Sequence, residues 1–286
     1  MHSMVLTPYQ MIQQDLSGKI PDDLLKNLPR KWEKIGDVLV IKLSPSLDSY
    51  ASLIGKSYAR HLYCETVLLD TGGITGQYRE PMIHHIYGKK QTETLHRENG
   101  IKYYLDPQQI MFSSGNMDER IRMGSISNPT ETVIDLFAGI GYFTIPMAVY
   151  SKPKKIIACE INPTAYHYLE KNIEANKVQD IIEQRLGDSR DVAPKDSADR
   201  VIMGYIQKTR ALLPTAIESL RNHRGIIHYH DTFPDRSIPQ TPIDMIQQYC
   251  TRYQRVAHLE YYHRIKSYAP GVSHYVFDIN IWEEHG

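Results

Sequence analysis

Ten consecutive residues, Asp135-Leu136-Phe137-Ala138-Gly139-Ile140-Gly141-Tyr142-Phe143-Thr144, read as the end of a strand, a glycine turn and the start of a helix. Gly139 and Gly141 permit a tight turn and let a ligand lie against main-chain N–H groups. Position 144 is Thr, so the third glycine of a dinucleotide fingerprint is absent, which argues against a pyrophosphate ligand. Glu160 stands about twenty residues beyond the turn, where a carboxylate accepts from both hydroxyls of a ribose. Asp188, after a further apolar run, can accept from the exocyclic amine of an adenine, with Ile161 offering an apolar face to the ring. The set suits a nucleoside better than a dinucleotide.

Such a set has to be held by strands that end side by side. Apolar runs at Thr132 to Phe137, Lys155 to Cys159, Asp180 to Leu186, Asp199 to Met203 and Ile226 to Tyr229 predict five strands. Between them the spacing predicts helices over Tyr142 to Tyr150, Pro163 to Asn176 (capped by Asn162) and Thr209 to Asn222. Strands and helices in alternation specify a parallel sheet covered on both faces. The tail departs from that rhythm: Ile238 to Tyr253 reads as helix, and Val256 to Tyr268 with His274 to Trp282 as a hairpin turning at Pro270-Gly271. That hairpin is expected to close one sheet edge with an antiparallel strand. Upstream, Lys34 to Leu43 reads as a strand and Tyr50 to Cys64 as a helix. A strand follows over Thr66 to Tyr78, broken by a turn at Thr71-Gly72-Gly73, and further strands are expected at Tyr87 to His96 and Gly100 to Asp106. The expectation is two domains: an α+β domain over 1–107, and an α/β domain over 108–286 that carries the glycine turn.

With 33 basic against 33 acidic residues, the chain does not grip nucleic acid by net charge, although local patches can. Three widely separated cysteines, Cys64, Cys159 and Cys250, make neither a disulfide framework nor a four-cysteine zinc site, which suits a reducing, cytoplasmic compartment. No apolar stretch has the roughly 18 residues of a spanning helix, and the N-terminus carries no leader pattern, so no membrane partner is expected.

The segment Met111-Phe112-Ser113-Ser114-Gly115-Asn116-Met117-Asp118-Glu119-Arg120-Ile121-Arg122-Met123, then DLFAGIGYF, EINP, GDSRD, DRVIMGY, a His-Tyr-His strand and KSYAP, follow one another in an order that resembles a known family. It is the family of tRNA guanosine-37 methyltransferases and wybutosine-synthesising transferases, and within it the archaeal wybutosine branch. The likeness runs from Trp32 to Tyr275. It implies a class I S-adenosylmethionine-dependent, Rossmann-like sheet behind a smaller N-terminal α+β domain that faces RNA. It implies transfer of an α-amino-α-carboxypropyl group from S-adenosylmethionine to a tricyclic guanosine in the anticodon loop of tRNA-Phe, releasing methylthioadenosine. For the donor it implies Ser113, Arg120, Asp135, Phe137, Gly139, Gly141, Glu160, Ile161, Asp188 and Ser189, with Asp135 near the methionine end. A monomer is expected.

Two departures separate this chain from its methylating relatives. Those carry Asn-Pro-Pro or Asn-Leu-Pro after the fourth strand of the α/β domain, where this chain has Met203-Gly204-Tyr205, and F-S-P-R where it has F-S-S-G-N. Arg79 and Glu119 match residues that flank the target base in the methylating branch, which keeps N1 methylation of guanosine as the alternative activity. In the catalytic reading Glu119 removes the ring proton or orients the base, while Arg79 stabilises charge growing on its oxygen. The competing reading makes Glu119 and Arg120 an exposed helix-surface ion pair. Ser113, Ser114 and Asn116 either meet the amino acid end of the donor or cap the helix that starts near Asp118. A third reading is a cofactor- or RNA-binding module, which predicts cofactor binding without turnover on any tRNA and which the intact acidic positions make less attractive.

His228 and His230 alternate on one strand with Asp231 next, but no third ligand motif accompanies them, and no metal is expected. They read as two hydrogen-bonded histidines beside the crevice. Tyr205 stacks on a base or packs in the core. Lys89, Lys90, Arg97, Arg120, Arg122, Arg252, Arg255, Arg264 and Lys266 are candidates for a phosphate-contacting rim.

Overall fold

The computed structural model describes residues 6–76, 78, 80–206 and 209–283, with Ile74 as backbone only. Arg79 therefore lies outside the described residues. The chain divides into two units, Met1–Glu98 with Lys102–Ser114, and Asn99–Ile101 with Gly115–Gly286.

The first unit is built on a four-stranded sheet in the order β1 (Trp32–Ile35), β2 (Val38–Ile41), β3 (Thr66–Thr75), β4 (Glu80–Gly88). Helix α1 (Pro8–Leu16) starts from a capping box between Thr7 and Gln10, and a short α2 (Asp22–Leu25) follows. β2 and β3 run parallel and are joined through α3 (Ala51–Leu62), while the outer pairs are antiparallel. Ile12, Leu16, Leu39, Ile54, Tyr58 and Val67 fill the core between helices and sheet.

Three sequence expectations change here. The single strand over 34–43 is a hairpin, β1 and β2, because the chain reverses at Gly36-Asp37. The Thr71-Gly72-Gly73 turn is instead a bulge inside β3, where the register with β4 slips between Asp70 and Ile74. The strand over 87–96 splits: β4 ends at Gly88, and β5 (Thr94–Glu98) pairs separately with β6 (Ile101–Leu105).

The second unit contains a seven-stranded sheet in the order β12-β13-β11-β10-β7-β8-β9. Its strands are β7 (Thr132–Asp135), β8 (Lys155–Glu160), β9 (Ile182–Leu186), β10 (Arg200–Met203), β11 (Gly225–Pro234), β12 (Arg255–Ala269) and β13 (Val272–Glu283). β7 to β11 are mutually parallel; β13 lies antiparallel to β11, and β12 antiparallel to β13. The helices are α4 (Met117–Met123), α5 (Thr144–Tyr150), α6 (Pro163–Ala175), α7 (Ser189–Val192), α8 (Leu213–Ser219) and α9 (Gln240–Cys250). This is the Rossmann-like α/β class that the alternation predicts. Strand order reverses at β7, the topological switch point where open α/β sheets bind ligands.

The tail hairpin adds two strands to the sheet rather than one, and β11 runs on past Tyr229 to Pro234 because β13 pairs with it over its whole length. The helix expected over 209–222 is interrupted: regular α-helix begins only at Leu213, where Pro214, lacking an N–H, sits in the first turn, and it ends before Leu220. Among the described residues no helix is long and apolar enough to cross a membrane.

Candidate active site

β7 delivers the chain into the glycine turn, and α5 leaves it. Gly139 and Gly141 have φ of +58° and +96°. A Cβ at Gly139 would lie 2.7 Å from the Tyr142 ring, and one at Gly141 2.4 Å from Ile145 Cγ1, so both positions exclude a side chain twice over. Asp135 is fully buried beneath the turn: its Oδ1 accepts from the Phe137 N–H at 3.1 Å and its Oδ2 from the Thr144 hydroxyl at 2.8 Å. Burial pushes its carboxyl up to about 6. Thr144, the residue that breaks the dinucleotide fingerprint, thus secures the strand end to the helix.

Glu160 ends β8 and bridges to the turn. Its Oε2 accepts from the Gly139 N–H and its Oε1 from the Asn162 N–H, each at 2.7 Å, while burial raises its pKa. Asn162 caps α6 by accepting from the Thr164 N–H at 2.9 Å. After β9, Asp188 caps α7 and carries the Arg190 guanidinium at 2.5 and 2.9 Å, which holds its carboxyl below the usual range. The Ser189 hydroxyl donates to the Leu136 carbonyl at 2.5 Å, tying the end of β9 to that of β7. Phe137 and Ile161 are half-buried, and Phe137 stacks on Tyr205 with ring centroids 5.2 Å apart. Seven predicted positions, Phe137, Gly139, Gly141, Glu160, Ile161, Asp188 and Ser189, thereby gather at the tips of β7, β8 and β9. Asp135 and Ser189 spend the side-chain contacts described here on holding the turn.

A second cluster forms around α4. Glu119 and Arg120 are 1% and 2% exposed, so the surface ion-pair reading is overturned. Glu119 pairs instead with Arg122, whose Nε and Nη2 each donate to its carboxylate at 2.8 Å. On its other side Arg122 donates to Asp278 of β13 at 2.6 and 3.2 Å. Asp278 also meets His228 Nδ1 at 2.6 Å, and His228 Nε2 lies 2.7 Å from Arg200, which forms a two-point pair with Glu131 at 2.9 and 3.0 Å. A guanidinium only donates, so His228 Nε2 is an acceptor and its proton sits on Nδ1, facing Asp278. Burial holds His228 below its ordinary pKa, in keeping with that neutral tautomer. Burial alone would raise Asp278, but the His228 and Arg122 contacts outweigh it and keep the carboxylate ionised.

Glu119 has two further neighbours, His263 Nε2 at 3.3 Å and His230 Nε2 at 3.6 Å. Burial raises the Glu119 pKa, and the Arg122 contact partly opposes it. Of the two strand histidines only His228 is hydrogen-bonded. His230 stacks on Phe143 at 5.0 Å, and neither of its ring nitrogens has a hydrogen-bond partner among the described residues. Phe143 also covers Gly204, where an added Cβ would lie 2.8 Å from its ring. No group of three His, Cys, Asp or Glu side chains suited to a metal occurs among the described residues.

Ser113 belongs to the first unit, while Arg120 is buried in α4. Sequence reasoning missed Asp278, His263 and the role of Arg122. The available signal was a charged residue inside an apolar strand: Asp278 in VFDIN, matched across the sheet to His228 in IIHYHD.

Residues 94–258 match the model of the TRM5/TYW2 methyltransferase domain, and residues 12–92 that of the TYW2 N-terminal domain. The tRNA(Phe) (4-demethylwyosine(37)-C(7)) aminocarboxypropyltransferase of Methanocaldococcus jannaschii is 46% identical over 250 residues, covering 87% of this chain and 96% of that protein. The crystal structure of Pyrococcus horikoshii TYW2 in complex with MeSAdo superposes with a TM-score of 0.87 at 38% identity, covering 96% of this chain and 100% of that one. That of M. jannaschii TYW2 in complex with AdoMet gives 0.73 at 40% identity, covering 89% and 100%.

Proposed function

The chain belongs to the TRM5/TYW2 family, and from that premise we infer that it is an S-adenosylmethionine-dependent tRNA aminocarboxypropyltransferase acting on the 4-demethylwyosine at position 37 of tRNA-Phe. The crevice suits the donor. Glu160 and Asp188 are acceptor-only groups with acceptor capacity left beyond their internal hydrogen bonds, in Asp188 a lone pair on Oδ2, and a nucleoside offers hydroxyl and amine donors to match. Phe137, Gly139, Gly141 and Ile161 bound the adenosine; Ser113 and Arg120 serve the methionine end; Asp135 and Ser189 keep the turn in shape. Bound there, S-adenosylmethionine supplies a sulfonium whose Cγ–S bond breaks on attack by C7 of the base, the electron pair staying on sulfur as methylthioadenosine.

The chain's own part is orientation and one proton. C7 gains a bond to carbon and must then lose its hydrogen to restore the ring, and Glu119 is the group to accept it. Such a base contributes about 10²-fold to 10⁴-fold. Arg79 stabilises charge on the base oxygen. The first domain, 1–107, turns toward the anticodon loop, where an unstacked base exposes the edges that an A-form stem hides. The enzyme works as a cytoplasmic monomer without a metal.

The observation that favours this over N1 methylation is the tip of β10. Gly204 lies under Phe143, and Met203-Gly204-Tyr205 offers neither the side-chain amide nor the proline with which methylating relatives hold guanine. Incubation with labelled S-adenosylmethionine and tRNA carrying the 4-demethylwyosine intermediate tests it. Methylthioadenosine is the expected product. S-adenosylhomocysteine would establish methylation instead, and donor binding without turnover would establish a binding module.

A further inference from the structure

Glu119 does not stand alone at the end of α4. Its carboxylate is fixed by Arg122, and Arg122 is fixed by Asp278, from a strand 156 residues further along the chain. Both links are two-point contacts between planar groups, so they fix direction as well as distance. Asp278 is fixed in turn: His228 donates to it from the opposing position on β11, Arg200 holds the far side of that imidazole, and Glu131 holds Arg200. The chain of contacts crosses β10, β11 and β13 and ends on the one carboxylate that the proposed reaction needs. The other ionisable groups facing Glu119 are His230 from β11 and His263 from β12.

We propose that Asp278 is a positioning residue for the transfer, acting through Arg122 to aim the Glu119 carboxylate at the proton it removes. The proposal rests on the reading of Glu119 as the base. A carboxylate that swings between Arg122 and the two histidines would reach the ring proton in only part of its orientations, and misplacement of a catalytic group costs up to about 10²-fold.

The test is single-turnover methylthioadenosine formation by the full chain with the 4-demethylwyosine tRNA, alongside equilibrium binding of S-adenosylmethionine and of tRNA. Asp278→Asn is expected to slow the transfer by about 10-fold to 100-fold with both affinities within about threefold of the parent. Asp278→Glu keeps the charge in the sheet and moves the carboxylate by one methylene, so it should fold and also slow. Arg122→Gln should slow at least as much and move the acid limb of the rate profile to higher pH, because Glu119 loses its cation. Adding Asp278→Asn to Arg122→Gln should then slow nothing further. A role in folding alone predicts independent, additive losses, or lost affinity with an unchanged rate, and either result overturns the proposal. Glu119→Gln separates the two readings. If it retains the full rate, the base assignment fails; if it is inactive while both Asp278 variants run at the parent rate, the positioning proposal alone fails.

Discussion

Asp135→Asn should make the protein more stable at pH 8. The carboxyl has no exposed surface, and its value of about 6 in the fold stands against an ordinary 3.8. A folded-state value above the unfolded one means that the native protein holds the proton more tightly. The penalty is therefore absent below pH 3.8, grows as pH rises to about 6 and stays constant above that. Its full size is up to about 3 kcal/mol at roughly 1.4 kcal/mol for each tenfold preference. The amide keeps both native contacts: its oxygen accepts from the Phe137 N–H, and its NH2 donates to the Thr144 hydroxyl, which can turn to accept. Urea unfolding at pH 8 should show the variant more stable by about 1 to 3 kcal/mol, with the gap shrinking as pH falls below about 6, vanishing only below 3.8, and the denaturant dependence unchanged. A variant less stable than the parent at pH 8, or a gap indifferent to pH, would refute the account of Asp135 as a carboxylate kept at the expense of stability.

Glu160→Gln places an NH2 against either the Gly139 or the Asn162 N–H, in place of a charge-assisted acceptor worth about 1.5 to 3 kcal/mol. Calorimetric titration with S-adenosylmethionine should show binding weakened by about 10-fold to 100-fold, and an unchanged affinity would remove Glu160 from the donor site. Gly141→Ala brings a Cβ to 2.4 Å from Ile145 at a φ of +96°, so it should lower stability by more than about 2 kcal/mol, read as a drop in thermal midpoint. A midpoint within one or two degrees of the parent would show that the turn relaxes freely.

The gathering of residues at the tips of β7, β8 and β9 could be read in the sequence because its parts are local: a glycine turn between a strand and a helix, and acidic residues just past two later strands. Each was identified by its neighbours in the chain. The α4 cluster had no such signature. Glu119 and Arg120 are adjacent in sequence and resemble any exposed pair, yet the partner of Glu119 is Arg122, and the second anchor of Arg122 arrives from β13. Only the antiparallel register of β11 and β13, which sets His228 opposite Asp278, brings that anchor into place. Register is set by pairing over the whole sheet and by the bulges of β12, and neither is written in a local pattern. The helix expected over 209–222 is the opposite case, since Pro214, whose missing N–H suits only the first turn, marks its late start in the sequence itself.

The hairpin of β12 and β13 also bears on how the enzyme comes into being. A nascent chain released from the ribosome as far as residue 254 would already contain the glycine turn, Glu160, Asp188 and the helix that bears Glu119. It would hold none of the groups that β12 and β13 bring to that helix, His263 and Asp278. The anchor that Asp278 gives Arg122 therefore enters the molecule only with its last strand, after every element that surrounds the glycine turn has been synthesised.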